Sequence, residues 1–313
     1  MFKQFFAALA ASAALTAGAG TTSIQLGNYS LKANYALDAL GGIGLEASGV
    51  TYARDSGTLF FVGDEGLGVV QVSTTGQTLS SMAFSAWPSA SDNHDAEGIA
   101  YLGNGQFVVV EERLQSAYRF GYLAGGSVDL ATVDWVNFGA PAGNKGTEGI
   151  SVDPRDGSFV AVKEANPEAI LAGTLSFAAG GGVSTMTALF DPTLLGVSSL
   201  SDVQTLAGVD ALAGTAAADN LLVLSLGSRR LLEVTRTGQI LSSLDLTSFT
   251  SQAIEGVTVD QNGVIYLVAE DSGTGNSRLL VLSSPVPEPA AWALLLAGMG
   301  VVLGRSKARA RQS

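Results

Sequence analysis

Short apolar runs recur along the chain, each closed off by turn residues. Leu59-Phe60-Phe61-Val62, Phe107-Val108-Val109-Val110 and Ile265-Tyr266-Leu267-Val268 are the clearest. Runs this short and this continuous suit strands buried on both faces. Weaker strand patterns flank them, and turn signals separate the segments: Arg54-Asp55-Ser56-Gly57, Asn104-Gly105, Pro154-Arg155-Asp156-Gly157, Thr237-Gly238 and Gln261-Asn262-Gly263. The pattern predicts strands at 50–53, 58–63, 68–73 and 77–84, then at 99–102, 106–111, 116–122 and 131–138. It continues at 150–153, 158–163, 169–177 and 184–190, at 209–212, 221–226, 230–235 and 239–246, and at 257–260, 264–270 and 278–283. No long amphipathic helix pattern interrupts the series.

Each group of strands opens on a related heptad or its remnant. Asp95-Ala96-Glu97-Gly98-Ile99-Ala100-Tyr101 recurs as Gly146-Thr147-Glu148-Gly149-Ile150-Ser151-Val152 and as Ala253-Ile254-Glu255-Gly256-Val257-Thr258-Val259. Ala47-Ser48-Gly49-Val50-Thr51-Tyr52 and Leu206-Ala207-Gly208-Val209-Asp210 are degenerate copies. The shared glycines, Gly49, Gly98, Gly149, Gly208 and Gly256, are spaced by 49, 51, 59 and 48 residues. Four short strands repeated about every 50 residues predict an all-β fold, a β-propeller. The last unit lacks a fourth strand, and 29–37 is a strand pattern left over near the N-terminus. The expectation is five blades, with this segment closing the ring as the outer strand of the last. Six blades is the alternative, if 191–206 hides further strands.

Composition narrows the chemistry. The chain has 313 residues, no cysteine and one histidine, His94, so thiolate and multi-histidine metal sites are excluded. Net charge is −12, and five of the sixteen cations (Lys3, Arg305, Lys307, Arg309 and Arg311) sit at the two ends. A body this acidic disfavours nucleic acid, which needs a basic surface, and suits a cation.

The ends resemble addresses. Met1-Phe2-Lys3, an apolar run over 5–16 and Ala17-Gly18-Ala19 form a secretory signal-peptide pattern, placing the signal at 1–19, the propeller at 24–284 and a terminal segment at 286–313. In that segment Pro287-Glu288-Pro289 precedes an apolar run over 290–304 and a basic tail, Arg305 to Arg311. Fifteen residues of helix reach roughly 22 Å at about 1.5 Å each, short for a bilayer core of roughly 30 Å. The three parts resemble the PEP-CTERM sorting signal, with Pro287, Glu288 and Pro289 as its motif. That resemblance implies processing by an exosortase-type membrane protease, a precursor tethered to the inner membrane, and then a place at the cell surface or in an exopolysaccharide matrix. A permanent tail anchor is the alternative.

Antiparallel pairing puts the start of each first strand beside the end of the second, on one face of the disc. The expected first-strand starts carry Ser48, Glu97, Glu148, Ala207 and Glu255; the second-strand ends carry Asp64-Glu65, Glu111-Glu112, Lys163-Glu164, Leu226-Gly227 and Glu270-Asp271. Four of five blades thus bring carboxylates to one mouth, unfavourable unless some are protonated or a cation binds. Oxygen donors point to Ca²⁺ or Mg²⁺. Glu97, Glu148 and Glu255 are expected to converge on the axis, with Glu111, Glu164 and Glu270 around them. The same residues admit a structural reading, in which the glutamates accept backbone N–H groups of a neighbouring blade. His94, Asp92 and Asp95 fall in a polar loop of that face. Trp87, Trp135, Phe84, Phe138 and Phe190 read as packing between blades.

Ser48-Gly49-Val50-Thr51-Tyr52, Val62-Gly63-Asp64-Glu65, Glu97-Gly98-Ile99-Ala100-Tyr101, Val110-Glu111-Glu112-Arg113, Lys145-Gly146-Thr147-Glu148-Gly149 and Val162-Lys163-Glu164-Ala165-Asn166-Pro167 together resemble the SdiA-regulated β-propeller family. The resemblance runs from about Leu37 to Ser284. It implies an extracytoplasmic propeller and, by analogy with calcium propellers, metal at the Glu-Gly positions. The chain departs at Leu226-Gly227, where the family usually has acids after Ser225. The expected function is ligand binding with a divalent cation at the mouth; the alternative is a calcium-dependent hydrolase of phytase-like or lactonase-like kind. A phosphate ester would want several cations in the site, and only Arg113 and Lys163 are candidates.

Overall fold

A computed structural model describes residues 21–88, 95–271 and 276–284. The signal-peptide pattern, Asp92, His94, Pro287-Glu288-Pro289 and the terminal apolar run lie outside the described residues. Among the described residues no helix is long and apolar enough to cross a membrane.

The chain enters through β1 (Ser30–Ala36) and builds five four-stranded blades in turn. Blade one is β2 (Ala47–Ala53), β3 (Thr58–Gly63), β4 (Gly68–Val72) and β5 (Thr78–Ala86). Blade two is β6 (Ala96–Gly103), β7 (Gln106–Glu111) and β8 (Ser116–Gly121); the chain then returns as β9 (Ser127–Asp129), parallel to β5 on the edge of blade one, before β10 (Asp134–Asn137) completes blade two. Blade three is β11 (Thr147–Val152), β12 (Phe159–Lys163), β13 (Ala169–Gly173), a small hairpin of β14 (Leu175–Ser176) and β15 (Val183–Ser184), and β16 (Thr187–Phe190). Blade four is β17 (Leu200–Thr205), β18 (Leu221–Ser225), β19 (Arg230–Val234) and β20 (Ile240–Asp245). Blade five is β21 (Ile254–Val259), β22 (Ile265–Ala269) and β23 (Arg278–Ser283), closed by β1 in antiparallel register from Ser30↔Ser283 to Ala36↔Arg278.

The apolar second strands now have a reason. Five hydrophobic clusters fill the five gaps between adjacent blades. Phe60 and Val62 of β3 face blade two, whereas Leu59 and Phe61 face blade five. Likewise Phe107 and Val109 of β7 face blade one, and Val108 and Val110 face blade three. A strand that feeds two clusters has no solvent face, so no alternation shows in its sequence. Phe84, Trp87 and Trp135 pack between blades one and two, Phe138 between two and three, and Phe190 between three and four, as the sequence suggests.

Blade four differs from the sequence reading. Its innermost strand is β17, inside the 191–206 stretch, and Gly208 lies beyond it. Residues 209–212, expected as a strand, instead form the short 3₁₀ turn Asp210–Leu212, followed by a second, Ala216–Asp219. These turns bury Leu206, Val209, Leu212, Ala217 and Ala218 against the core between blades four and five. The hidden strand therefore belongs to the fourth blade and makes no sixth.

The segment ahead of β1 is tied down by one buried carboxylate. Glu233 Oε2 accepts the hydroxyls of Ser23 (2.6 Å) and Ser242 (2.8 Å), and Oε1 accepts Ile24 N (2.9 Å) and Asn220 Nδ2 (2.8 Å). Glu233 is fully buried. Glu233→Ala strands four donors and is expected to cost about 3 kcal/mol, read as a lower urea midpoint at unchanged slope. A midpoint equal to wild type would show that the clamp contributes nothing.

Candidate functional site

The mouth is built by a structural device repeated five times. In each innermost strand the pairing with the second strand slips by one residue: Ala47/Gly49, Ala96/Gly98, Thr147/Gly149, Leu200/Asp202 and Ile254/Gly256. Each slip is a β-bulge, which pushes one side chain out of the ladder and re-aims it. The bulged residues are Ser48, Glu97, Glu148, Ser201 and Glu255. Ser201 takes the place the sequence reading gave to Ala207. Just outside this inner ring, the residue after each second strand donates its N–H across the mouth edge. Asp64 N bonds Glu46 O (3.1 Å), Glu112 N bonds Asp95 O (3.1 Å), Glu164 N bonds Gly146 O (3.0 Å), Leu226 N bonds Ser199 O (2.9 Å) and Glu270 N bonds Ala253 O (3.0 Å). The outer ring is therefore Asp64, Glu112, Glu164, Leu226 and Glu270.

Of the residues singled out from sequence, Glu97, Glu148 and Glu255 stand in the inner ring, and Glu164 and Glu270 in the outer. Glu111 does not join them. It ends β7, is fully buried, and its Oε2 accepts Leu114 N at 2.7 Å in the following turn. The bulge accounts for this. Ala96 and Glu97 together oppose Glu111, so the mouth position moves on by one, to Glu112. Asp64 and Asp95, which the sequence places at a second-strand end and in the loop of this face, also belong to the cluster, as does Glu46, which the sequence pattern does not single out.

The electrostatics are those of crowded acids. Burial first, then the charges of Asp64, Glu255, Glu112 and Asp95, push the Glu97 carboxyl well above its usual range. Glu148 is raised in the same way, by burial and then by Glu97 and Glu112, with which its carboxyl also shares a hydrogen bond. Glu255 is pushed up to about 8 by burial and Glu270, against a hydrogen bond from Ser48. Asp64 is pushed up to about 7 by burial and by Asp95 and Glu46. Opposing charge is sparse and already engaged. Arg113 Nε pairs with Asp95, and Lys145 Nζ with Glu164 Oε2 at 3.3 Å. Lys163 Nζ donates to the carbonyls of Ala165 and Pro167 in its own loop.

The tightest grouping is Glu112, Glu148 and Glu164, each with a carboxylate oxygen within 4.8 Å of the others. Two donors on opposite sides of one Ca²⁺, at about 2.3–2.6 Å each, would be separated by nearly that distance. Glu112 is held by Gly146 N at 3.1 Å, and Gly146 has to be glycine, because a Cβ there would come within 1.9 Å of Glu112 O. Glu164 is held by Ser199 Oγ at 2.7 Å.

Below the inner ring the strands close on themselves. A Cβ on Gly49, Gly98 or Gly256 would fall 2.3, 2.9 and 2.5 Å from a backbone oxygen of the next blade. The fourth blade breaks this rule with Asp202. Its buried carboxylate accepts Val203 N and, across the junction to blade five, Val257 N, both at 2.7 Å. It occupies the space against Gly149, where a Cβ would meet Asp202 Oδ1 at 2.2 Å. Burial pushes the Asp202 carboxyl well above its ordinary value, opposed by the two N–H donors.

Five blades around a glycine-lined neck, with carboxylates massed at one mouth, define an acidic-mouthed five-bladed β-propeller. The sequence profile of the SdiA-regulated family matches residues 22–272, and the chain belongs to that family. Among solved structures the chain is similar to the luciferin-regenerating enzyme (10% identity, 80% of this chain and 95% of that one, TM-score 0.49) and to a streptogramin B lyase (8% identity, 82% and 98%, TM-score 0.43). It is also similar to the β-propeller domain of Cps50 (Swd1) from Myceliophteria thermophila (13% identity, TM-score 0.39), covering 78% of this chain and 66% of that one, just under two thirds of its length.

Proposed function

We propose that this protein is an exported, surface- or matrix-associated propeller that binds a ligand at its acidic mouth through a divalent cation, Ca²⁺ in the first instance. The observation that supports the reading is the Glu112–Glu148–Glu164 grouping, three carboxylates with oxygens within 4.8 Å of one another, crowded enough that burial and mutual repulsion push Glu148 well above its usual range. Glu97, Glu255 and Glu270 add further carboxyl groups beside it. Export and sorting rest on the terminal patterns, including Pro287-Glu288-Pro289 as an exosortase-type processing site, with exopolysaccharide as the class of surroundings. The hydrolase reading gains no support from the mouth, since the cations Arg113 and Lys163 are taken up by Asp95 and by loop carbonyls.

Calorimetric titration at pH 8 tests the cation. Wild type is expected to bind one Ca²⁺, and a hundredfold excess over Kd should add about 2.7 kcal/mol to stability. Glu148→Gln keeps the shape and removes ligand charge, so it should abolish the heat while leaving the fold intact. If EDTA leaves the melting temperature unchanged and Glu148→Gln is as stable as wild type or more so, the acids are structural and the proposal fails.

A further inference from the structure

A second concavity lies on the opposite face of the disc, beyond the glycine and Asp202 neck. Its volume is about 520 Å³, within the roughly 300–1,000 Å³ of small-molecule sites. It is lined by the far ends of the innermost strands of all five blades. Its charges cancel. Arg54 forms two bonds to Asp210 (2.7 and 2.9 Å), Arg119 pairs with Asp134 (2.6 Å), Asp153 pairs with Arg155 and Arg236 (2.6 and 3.1 Å), and Arg155 also pairs with Asp219 (2.7 Å). Its neutral polar groups are of both kinds. The hydroxyls of Thr51 and Ser151 accept the N–H of Tyr101 and Thr205 (3.2 and 3.1 Å), so each keeps a proton to donate. Gln261 contributes a buried side-chain oxygen with no hydrogen-bond partner among the described residues. Phe177 and the buried Phe159, edge to face at 6.1 Å, give an aromatic side, with the Arg119 guanidinium 5.3 Å from the Phe177 ring centre.

We propose that this cavity binds a small neutral polyhydroxylated ligand, a monosaccharide or disaccharide. Cations already committed to acids would not select an anion, and an unpaired buried acceptor beside hydroxyl donors asks for a partner that both gives and takes hydrogen bonds. The edges of Phe177 and Phe159 offer apolar contact to the C–H groups of a sugar ring. The proposal is independent of the mouth, from which the neck separates it.

Saturation-transfer NMR and titration calorimetry, run in EDTA, would present the methyl glycosides of glucose, galactose and mannose, then maltose and lactose, with glucuronate and glucosamine as charged counterparts. At least one neutral sugar is expected to bind. Gly208 borders the cavity, and a Cβ there meets nothing within 4 Å. Gly208→Phe should therefore fold and weaken binding by at least about tenfold through occlusion. Gln261→Leu should weaken it several-fold with the melting temperature unchanged or raised, because it removes an unpaired acceptor. Lack of binding by all the neutral sugars, tighter binding of a charged sugar than of its neutral counterpart, or binding that survives both variants would each overturn the proposal.

Discussion

Replacing Asp202 with alanine is expected to destabilise the propeller by about 3–4 kcal/mol. The carboxylate is fully buried, and both oxygens are committed: one to Val203 N in its own blade, the other to Val257 N in the next. Alanine leaves two buried N–H groups without an acceptor and a void against Gly149. Asp202→Asn retains one acceptor oxygen but turns an NH₂ toward the other N–H, so its loss should be smaller yet still measurable. Asp202→Gly, which copies the other four blades, should fare no better than alanine, because it restores neither bond. Urea unfolding monitored by circular dichroism gives the comparison, with the midpoint falling and the slope constant. An alanine variant within 1 kcal/mol of wild type would mean that the junction between blades four and five closes without the carboxylate.

Stability of the metal-free protein is expected to fall as pH rises from about 4 to about 8. The direction follows from Asp64, pushed up to about 7, and Glu255, pushed up to about 8, with Glu97 and Glu148 raised alongside them. Between the unfolded carboxylate range near 4 and these folded values, the native state holds more protons than the unfolded chain, so stability decreases with pH and levels off above the folded values. The lowered carboxyls of the opposite face, Asp153 and Asp156, titrate below this window and do not offset it. A net loss of about 2–3 kcal/mol would lower the melting temperature by roughly 4–6 °C in a chain of this size. On the proposed cation site, saturating Ca²⁺ should flatten the curve by taking the place of the displaced protons. Scanning calorimetry at pH 5 and pH 8, in EDTA and in Ca²⁺, reads all four states. A metal-free melting temperature that is level or higher at pH 8 contradicts the account of crowded, proton-sharing acids.

The ring was legible in the sequence because its two drivers leave period-specific traces. Strands buried on both faces appear as unbroken apolar runs, and the close approach of innermost strands appears as glycine after glutamate. Leu59 to Val62 and Glu97-Gly98 carry both signals, and the observed β3, β7 and β23 end where the pattern ends them. The closing strand β1 was found by counting, since the last unit was one strand short. The errors have two physical sources. In blade four the neck residue is Asp202 instead of glycine, so the nearest glycine, Gly208, was mistaken for it, although Leu200-Ser201-Asp202-Val203 parallels Ala96-Glu97-Gly98-Ile99 residue for residue. At the mouth, a bulge shifts pairing by one without any compositional mark, which selected Glu111 where the structure brings in Glu112.

The closure of blade five fixes the order in which this protein can become complete. Ser30 pairs with Ser283, so the first strand of the propeller to be synthesised waits for the last one. Until β23 is made, β1 has no partner and the gap between blades five and one has no filling. Contacts this distant in sequence form slowly, because a long loop must close before they stabilise anything. A growing chain can accumulate blades two, three and four in sequence, but the disc itself closes only once β23 is available to pair with β1. Truncation anywhere before β23 therefore yields an open arc with two exposed sheet edges, the form most prone to pair with another copy.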